Sequence, residues 1–253
     1  MKTYLIPNNQ DSFKITTEDK HVSGPNAAIF PILRKASDGK LHLIGTGFFI
    51  TSYGVFATAK HVADEINGIH WRADDQLTIL HFYSEKDFHV RKIKHITCHE
   101  KADVAVGACE FAVERKTGNF VKNKILKVSN YQGEIGAQVF TYAYPHTVIE
   151  NTPEQIITLQ PKFYEGAIND FLPQGRDKTF LPMPCYQTSI AVHGGASGGP
   201  VFTSNKGVFG INSTGYTGQE DISFISQVKD IFDLSICDDE GKQLLIRDSI
   251  TFD

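Results

Sequence analysis

What most limits the fold of this chain is its texture: short runs of apolar, aromatic and β-branched residues, each closed off by turn residues, with little of the spacing that marks a long helix. Ala27 to Leu33, Leu43 to Thr51, Val55 to Ala59, Leu77 to Tyr83, Val90 to Thr97 and Val104 to Phe111 form one series of strand-like segments. Val139 to Tyr144, Gln155 to Phe163, Cys185 to Val192, Pro200 to Thr203 and Gly207 to Asn212 form a second. The stretch between them, Val113 to Gln132, is more polar and carries Arg115, Lys116, Lys122, Lys124 and Lys127, as a connection between two β units does. Many short strands with turn signals favour barrels or sandwiches. Helical spacing shows only around His61 to Ile66 and within Ser226 to Ile236, where Val228, Ile231, Phe232 and Ser235 fall near one face.

A chain of 253 residues is long enough for one large domain or two small ones, each with its own core. Hydrophobic residues make up 41% and charged ones 21%, which excludes a disordered chain. With 25 Lys and Arg against 29 Asp and Glu and no extended basic block, no field suited to a phosphate backbone forms, and nucleic acid is not an expected partner. The apolar run at Tyr4 to Pro7 is too short for a secretory signal, and no stretch approaches the roughly 18 to 20 residues of a membrane span. The expectation is a soluble, cytoplasmic protein with no membrane partner. Cys98, Cys109, Cys185 and Cys237 are irregularly spaced with no Cys-x-x-Cys pair, so they read as reduced thiols packed as small apolar side chains.

Three separated segments carry the chemistry. Thr58-Ala59-Lys60-His61-Val62 follows an apolar strand and a turn, and sets a histidine just past a strand end. Lys101-Ala102-Asp103-Val104-Ala105 sets a carboxylate at the start of an apolar strand, where it is shielded from water. His193-Gly194-Gly195-Ala196-Ser197-Gly198-Gly199-Pro200 sets a serine among glycines. A serine hydroxyl is a weak nucleophile that needs a base to take its proton, and an imidazole base needs a carboxylate to fix its tautomer. Glycines beside the serine allow backbone angles that aim main-chain N–H groups at one point, where Gly195 and Ser197 would hold an oxyanion.

These three contexts, in the order His, Asp, Ser, resemble the trypsin/chymotrypsin-like serine peptidases, closest in pattern to bacterial Deg-type members without a PDZ domain. The matching residues are Thr58-Ala59-Lys60-His61-Val62, Asp103-Val104-Ala105-Val106 and Gly195-Ala196-Ser197-Gly198-Gly199-Pro200, and the resemblance covers about residues 27 to 232. It implies an all-β fold of two six-stranded antiparallel Greek-key barrels with a C-terminal helix. The implied layout is an extension over 1–24, a first barrel over 25–112, a linker over 113–130, a second barrel over 131–225, and a helix and tail over 226–253. It implies a serine endopeptidase working through an acyl-enzyme. Ser197 is then the nucleophile, His61 the base, Asp103 its orienting acid, and the N–H groups of Gly195 and Ser197 the oxyanion donors. Gly210-Ile211-Asn212-Ser213-Thr214-Gly215 resembles the strand that pairs with substrate, so Ser213, Thr214 and Gly215 are expected to bind an extended polypeptide, with Ala191 at the base of the specificity pocket. No metal or organic cofactor is expected.

The departures from the family pattern shape the rest. Ala196 replaces the aspartate that pairs with a freed N-terminus in zymogen-activated members, so narrow specificity or a regulatory protein partner is the expected form of control. Ala191 replaces the acid of tryptic enzymes, so small or medium apolar residues are expected before the cleaved bond. Gly195-Ala196-Ser197-Gly198-Gly199 also fits the nucleophile elbow of α/β-hydrolases, but that fold needs a histidine after the serine and none follows Ser197. His95-Ile96-Thr97-Cys98-His99 reads as structural, because strand alternation sends Cys98 and His99 to opposite faces. Two rival functions remain: a catalytically silent, peptide-binding protease fold and an esterase-type acyl hydrolase.

Overall fold

The first strand series closes into a barrel and so does most of the second, but Gln155 to Phe163 falls largely outside it, since Ile156–Thr158 pairs with Val148–Glu150 as a separate hairpin. The computed structural model describes residues 15–16, 22–64, 76–83, 88–114, 117–153, 155–204, 206–216, 219–237 and 241–250. In the first barrel the strands are β1 (Ile29–Lys35), β2 (Leu41–Phe49), β3 (Val55–Thr58), β4 (Gln76–Phe82), β5 (Phe88–Cys98) and β6 (Ala105–Cys109). They close in the order β1-β2-β3-β6-β5-β4, and every pairing is antiparallel. The second barrel contains β7 (Gln138–Ala143), β8 (Lys162–Leu172), β9 (Cys185–Thr188), β10 (Pro200–Phe202), β11 (Val208–Tyr216) and β12 (Gln219–Gln227). Its order, β7-β8-β9-β12-β11-β10, repeats the first permutation. Closure pairs most strand edges and so leaves few that could pair with other chains.

The first barrel is filled with aromatic rings. Phe30 packs 4.5 Å from Phe49 and 5.6 Å from Phe56, ring centre to ring centre, and all three are buried. Each such ring removed from water stabilises the fold by about 1.5–3 kcal/mol. One cation lies buried in this barrel's wall. Arg91 donates from Nε to the Glu110 carbonyl (2.7 Å) and from Nη1 to Asn123 Oδ1 (2.7 Å), and its guanidinium lies over the Phe49 ring. His81 faces it, with Nδ1 3.0 Å from Arg91 Nη1 and Nε2 3.0 Å from the Ala27 carbonyl. Arginine can only donate, so Nδ1 accepts and the ring proton sits on Nε2. Burial, with the Arg91 charge added, brings the His81 pKa down to about 3.

The second barrel is built differently. Val139, Ile168, Tyr186, Ile190, Val201, Phe209 and Ile225 form its apolar interior. Hydroxyl and amide groups are buried alongside: the Thr188 and Ser223 hydroxyls lie 2.7 Å apart, and Asn212 Nδ2 donates to Thr141 Oγ1 at 2.7 Å. Between the barrels, the Tyr142 hydroxyl donates to Asn26 Oδ1 (2.7 Å), and the Tyr144 hydroxyl lies 2.7 Å from the same oxygen.

The helix expected within Ser226 to Ile236 is replaced. β12 continues through Gln227, a single 3-10 turn covers Val228–Ile231, and Ser235–Cys237 forms a hairpin with Gln243–Leu245. One turn is enough to bury Val228 and Ile231, and strand pairing then buries Ile236, so the apolar spacing read as helical is used up before a helix can propagate. The short helix expected around His61 to Ile66 is α1 (Lys60–Ala63), and Glu65 and Ile66 lie outside the described residues. In the linker, Ala112–Val113 pairs with Phe120–Val121, while Arg115 and Lys116 lie outside the described residues. The expected N-terminal extension is described only at residues 15–16 and 22–24.

Candidate active site

His61 and Asp103 come from adjacent strand ends of the first barrel. Thr58 ends β3, Ala59 stays extended, and the first turn of α1 carries His61. Asp103 lies in the turn between β5 and β6. That turn is braced by His99, whose Nδ1 accepts the backbone N–H groups of Lys101 (3.1 Å) and Ala102 (2.7 Å). The carboxylate takes the His61 backbone N–H on Oδ1 at 2.9 Å, and His61 Nδ1 lies 3.0 Å from Oδ1 and 2.9 Å from Oδ2. An ionised carboxylate only accepts, so the imidazole proton is assigned to Nδ1 and Nε2 is left as a base. The Asp103 side chain is 8% exposed and that of His61 41%, so the acid is dry and the imidazole faces the solvent side. Burial pushes the Asp103 carboxyl up, but the His61 bond and charge, the Ser213 hydroxyl and the His61 backbone N–H outweigh it and hold it below its usual value.

Ser197 belongs to the second barrel, in the loop between β9 and β10. Gly195 has φ +92° and Gly198 φ +84°, left-handed angles that suit glycine. A Cβ on Gly198 would also run into the Thr46 carbonyl and the Thr58 hydroxyl, so this loop presses against β2 and β3 of the other barrel. Thr46 fastens it there. Its N–H donates to the Ser197 carbonyl (2.8 Å) and its hydroxyl to the Gly195 carbonyl (2.8 Å). From below, Asn212 takes the Gly198 N–H on its carbonyl at 2.8 Å.

Within this loop the Ala196 N–H donates to His193 O (2.9 Å) and the Gly199 N–H to Ala196 O (3.1 Å). Among the described residues the N–H groups of Gly195 and Ser197 have no acceptor. They are the two amides expected from the sequence to meet an oxyanion. The Ser197 hydroxyl donates to the Ser213 carbonyl at 3.1 Å, and among the described residues no hydrogen bond joins it to His61. Ser213 in turn donates its own hydroxyl to Asp103 Oδ2. One residue of β11 therefore contacts both the acid and the serine.

A cleft of about 610 Å³ opens at this junction, lined by His61, Gly194, Gly195 and Ser197 together with Leu41, Leu43, Ile44, Pro145, Thr147, Ile149 and others. Ala191, Ser213, Thr214 and Gly215 are not among its walls. Thr214 and Gly215 pair with Phe224 and Ser223 of β12, and β10 reaches along the other edge of β11 only from Val208 to Ile211. Asn212 is still bonded on that side, its N–H to the Gly199 carbonyl and its carbonyl to the Gly198 N–H, so the edge is clear of β10 only from Ser213 onward. Ala191 sits half-buried in the loop after β9.

Sequence reasoning missed three contributors. Thr46 carried a signal, since Gly45-Thr46-Gly47 is a run of small residues opening an apolar strand, as close backbone approach requires. Asn212, a lone amide in an apolar strand, carried a weaker one. His99 carried none, because an imidazole accepting two turn amides depends on a fold in the chain that periodicity does not show. Ser213, expected to pair with substrate through its backbone, also donates its side-chain hydroxyl to Asp103.

Paired barrels in this winding order, meeting at a serine loop, make up the chymotrypsin-like class of proteins. The family model described as a trypsin-like peptidase domain matches residues 45–211, more than half of the chain, and the chain belongs to that family. It is accordingly a serine-protease-type hydrolase of peptide bonds, with polypeptide substrates. Among solved structures, the Rv3671c protease from M. tuberculosis in its active form is similar at TM-score 0.54 and 18% identity, covering 81% of this chain and 78% of that one. The serine endoprotease from Yersinia pestis is similar at TM-score 0.53 and 17% identity, covering 81% of this chain and 60% of that one. No curated protein matches the chain. Among the described residues no helix is long and apolar enough to cross a membrane.

Proposed function

We propose that this chain is a serine endopeptidase that works through an acyl-enzyme. The Ser197 hydroxyl turns from the Ser213 carbonyl to His61 Nε2, a rotation about one side-chain torsion between staggered wells. His61 takes the proton as Oγ attacks the scissile carbonyl, Asp103 stabilises the imidazolium, and the Gly195 and Ser197 N–H groups receive the oxyanion, a contribution of roughly 3–4 kcal/mol per donor in other enzymes. The leaving amine takes the proton back from His61, and water then releases the acyl group by the same steps. Substrate lies antiparallel to β11 along Ser213, Thr214 and Gly215, with Ala191 toward its pocket for the residue before the cleaved bond. The observation that carries this reading is the pair of unpartnered amides beside Ser197, in a loop whose Ala196, Gly198 and Gly199 amides are all bonded.

Control is assigned to narrow specificity or to a protein partner that brings Ser197 and His61 together. Buried Ala196 offers no carboxylate for an N-terminal amine to draw in, so the loop relies on Thr46 instead. Full activity on unfolded casein without any partner would count against this.

One observation favours a second reading, a protease fold that captures peptides without cutting them: the Ser197 hydroxyl is bonded to Ser213 rather than to His61. A fluorophosphonate probe separates the two. Labelling of the wild type that disappears in Ser197→Ala and drops steeply in His61→Ala is the expected result. Labelling that survives Ser197→Ala would place the nucleophile elsewhere, and an unlabelled wild type would favour the capture module or a latent enzyme awaiting its partner.

A further inference from the structure

Resting on the endopeptidase reading, we propose that the cleft beside Ser197 is the principal specificity site, and that it selects a branched apolar residue immediately after the scissile bond. Direction comes first. The substrate segment before the cleaved bond lies along the edge of β11 from Ser213 onward, and none of Ser213, Thr214, Gly215 or Ala191 borders the cleft. A peptide that runs along β11 and presents its carbonyl to the Gly195 and Ser197 amides must send its leaving-group side past His61, into the space walled by Gly194, Gly195 and Leu41 to Ile44.

The walls state the chemistry. Leu43, Ile44 and Ile149 are half-buried apolar side chains backed by buried Leu41 and Pro145, and exposed His42 stands beside them on the same wall. They come from opposite barrels, and Asn151 locks the two sides together by accepting the Leu41 N–H on Oδ1 (2.8 Å) and donating from Nδ2 to the Leu41 carbonyl (3.1 Å). Gln155 Nε2 adds a bond to the Gly39 carbonyl at 2.7 Å. The spacing between the walls is therefore fixed before substrate arrives, which favours selection over accommodation. The volume, about 610 Å³, exceeds a single side chain and lies within the usual range of ligand clefts.

The leaving-group site can be read by running the second half-reaction with a chosen amine. With p-nitrophenyl acetate the protein releases nitrophenolate and forms acetyl-Ser197, whatever the preference of the other pocket. An added amino-acid amide then competes with water. Its nitrogen attacks the acetyl carbonyl, the bond to Ser197 Oγ breaks, and the amine proton passes through His61 to Oγ, giving the N-acetyl amide and free enzyme. Leucinamide or isoleucinamide is expected to divert the acetyl group at concentrations about tenfold or more below those needed for glycinamide or aspartamide. Ile149→Asp should move the partition away from leucinamide and toward argininamide, a ratio read on the acetyl-enzyme and so independent of how fast the burst forms it. A burst with equal partition among the amides would overturn this inference alone. No burst from wild type would overturn this inference and leave the chain a capture module or an enzyme awaiting its partner.

Discussion

The two barrels share one winding order and differ in what fills them, although the first also buries the hydroxyls of Thr46, Thr58 and Thr78. The first is packed with phenylalanine and holds buried Arg91 in a small network with His81 and Asn123. The second buries hydroxyls and amides through its wall, at Thr141, Thr188, Asn212, Ser213, Ser223 and Ser226. The difference follows the work each side performs in the proposed mechanism. The first barrel must hold a carboxylate dry against an imidazole, which a stiff apolar frame does well. The second must hold a loop of unusual backbone angles with amides left free, and that requires many directional bonds close by.

The comparison breaks most completely at the carboxylate. Asp103→Asn keeps the packing but lets His61 adopt the wrong tautomer, and kcat/KM on a peptide substrate is expected to fall about 10⁴-fold with the melting temperature little changed. A loss of the fold instead would mean that the frame depends on the charge. Next in size is Gly198→Ala, which demands a left-handed angle of an L residue and drives a methyl group into the Thr46 carbonyl; urea unfolding should show a loss of about 3 kcal/mol or more.

A third test sharpens the contrast through pH. His81 has its pKa lowered from 6.5 to about 3, so the unfolded chain binds its proton first as the solution is acidified. The stability this group contributes is fully present above pH 6.5 and is lost as pH falls toward about 3. Asp103 acts in the same direction but only below its ordinary value of 3.8. Thermal melts between pH 6.5 and 4 should therefore fall in the wild type and flatten in His81→Gln. The smallest effect is expected at His99. His99→Ala frees two turn amides and should lower kcat several-fold with KM unchanged, while His99→Asn, which keeps an acceptor near the Nδ1 position, should restore most of it; equal loss in both would reduce His99 to a packing residue.

The contrast also explains what could be read from the sequence. All six strands of the first barrel coincide closely with apolar segments, because its residues alternate or run apolar as a buried sheet requires. In the second barrel β8 and β12 escaped notice. Glu165, Asn169 and Asp170 interrupt β8, which also shifts register between Ile168 and Asp170. In β12, Ser223, Ser226 and Gln227 are polar yet buried, so the pattern points outward where the strand points in. The residues expected to react, His61, Asp103, Ser197 and Gly195, stood in recognisable local contexts. Their supports, Thr46, Asn212 and His99, act across the fold and leave almost no local trace.

Thr46 has a consequence for how such a molecule can change. The amides proposed to meet the oxyanion ride on a loop that one barrel supplies and the other splints, so neither half carries a finished site when expressed apart from its mate. Separately made halves should regain turnover only on mixing, and drift at the hidden face of β2 would surface first as a slower enzyme, well before it surfaced as a weaker fold.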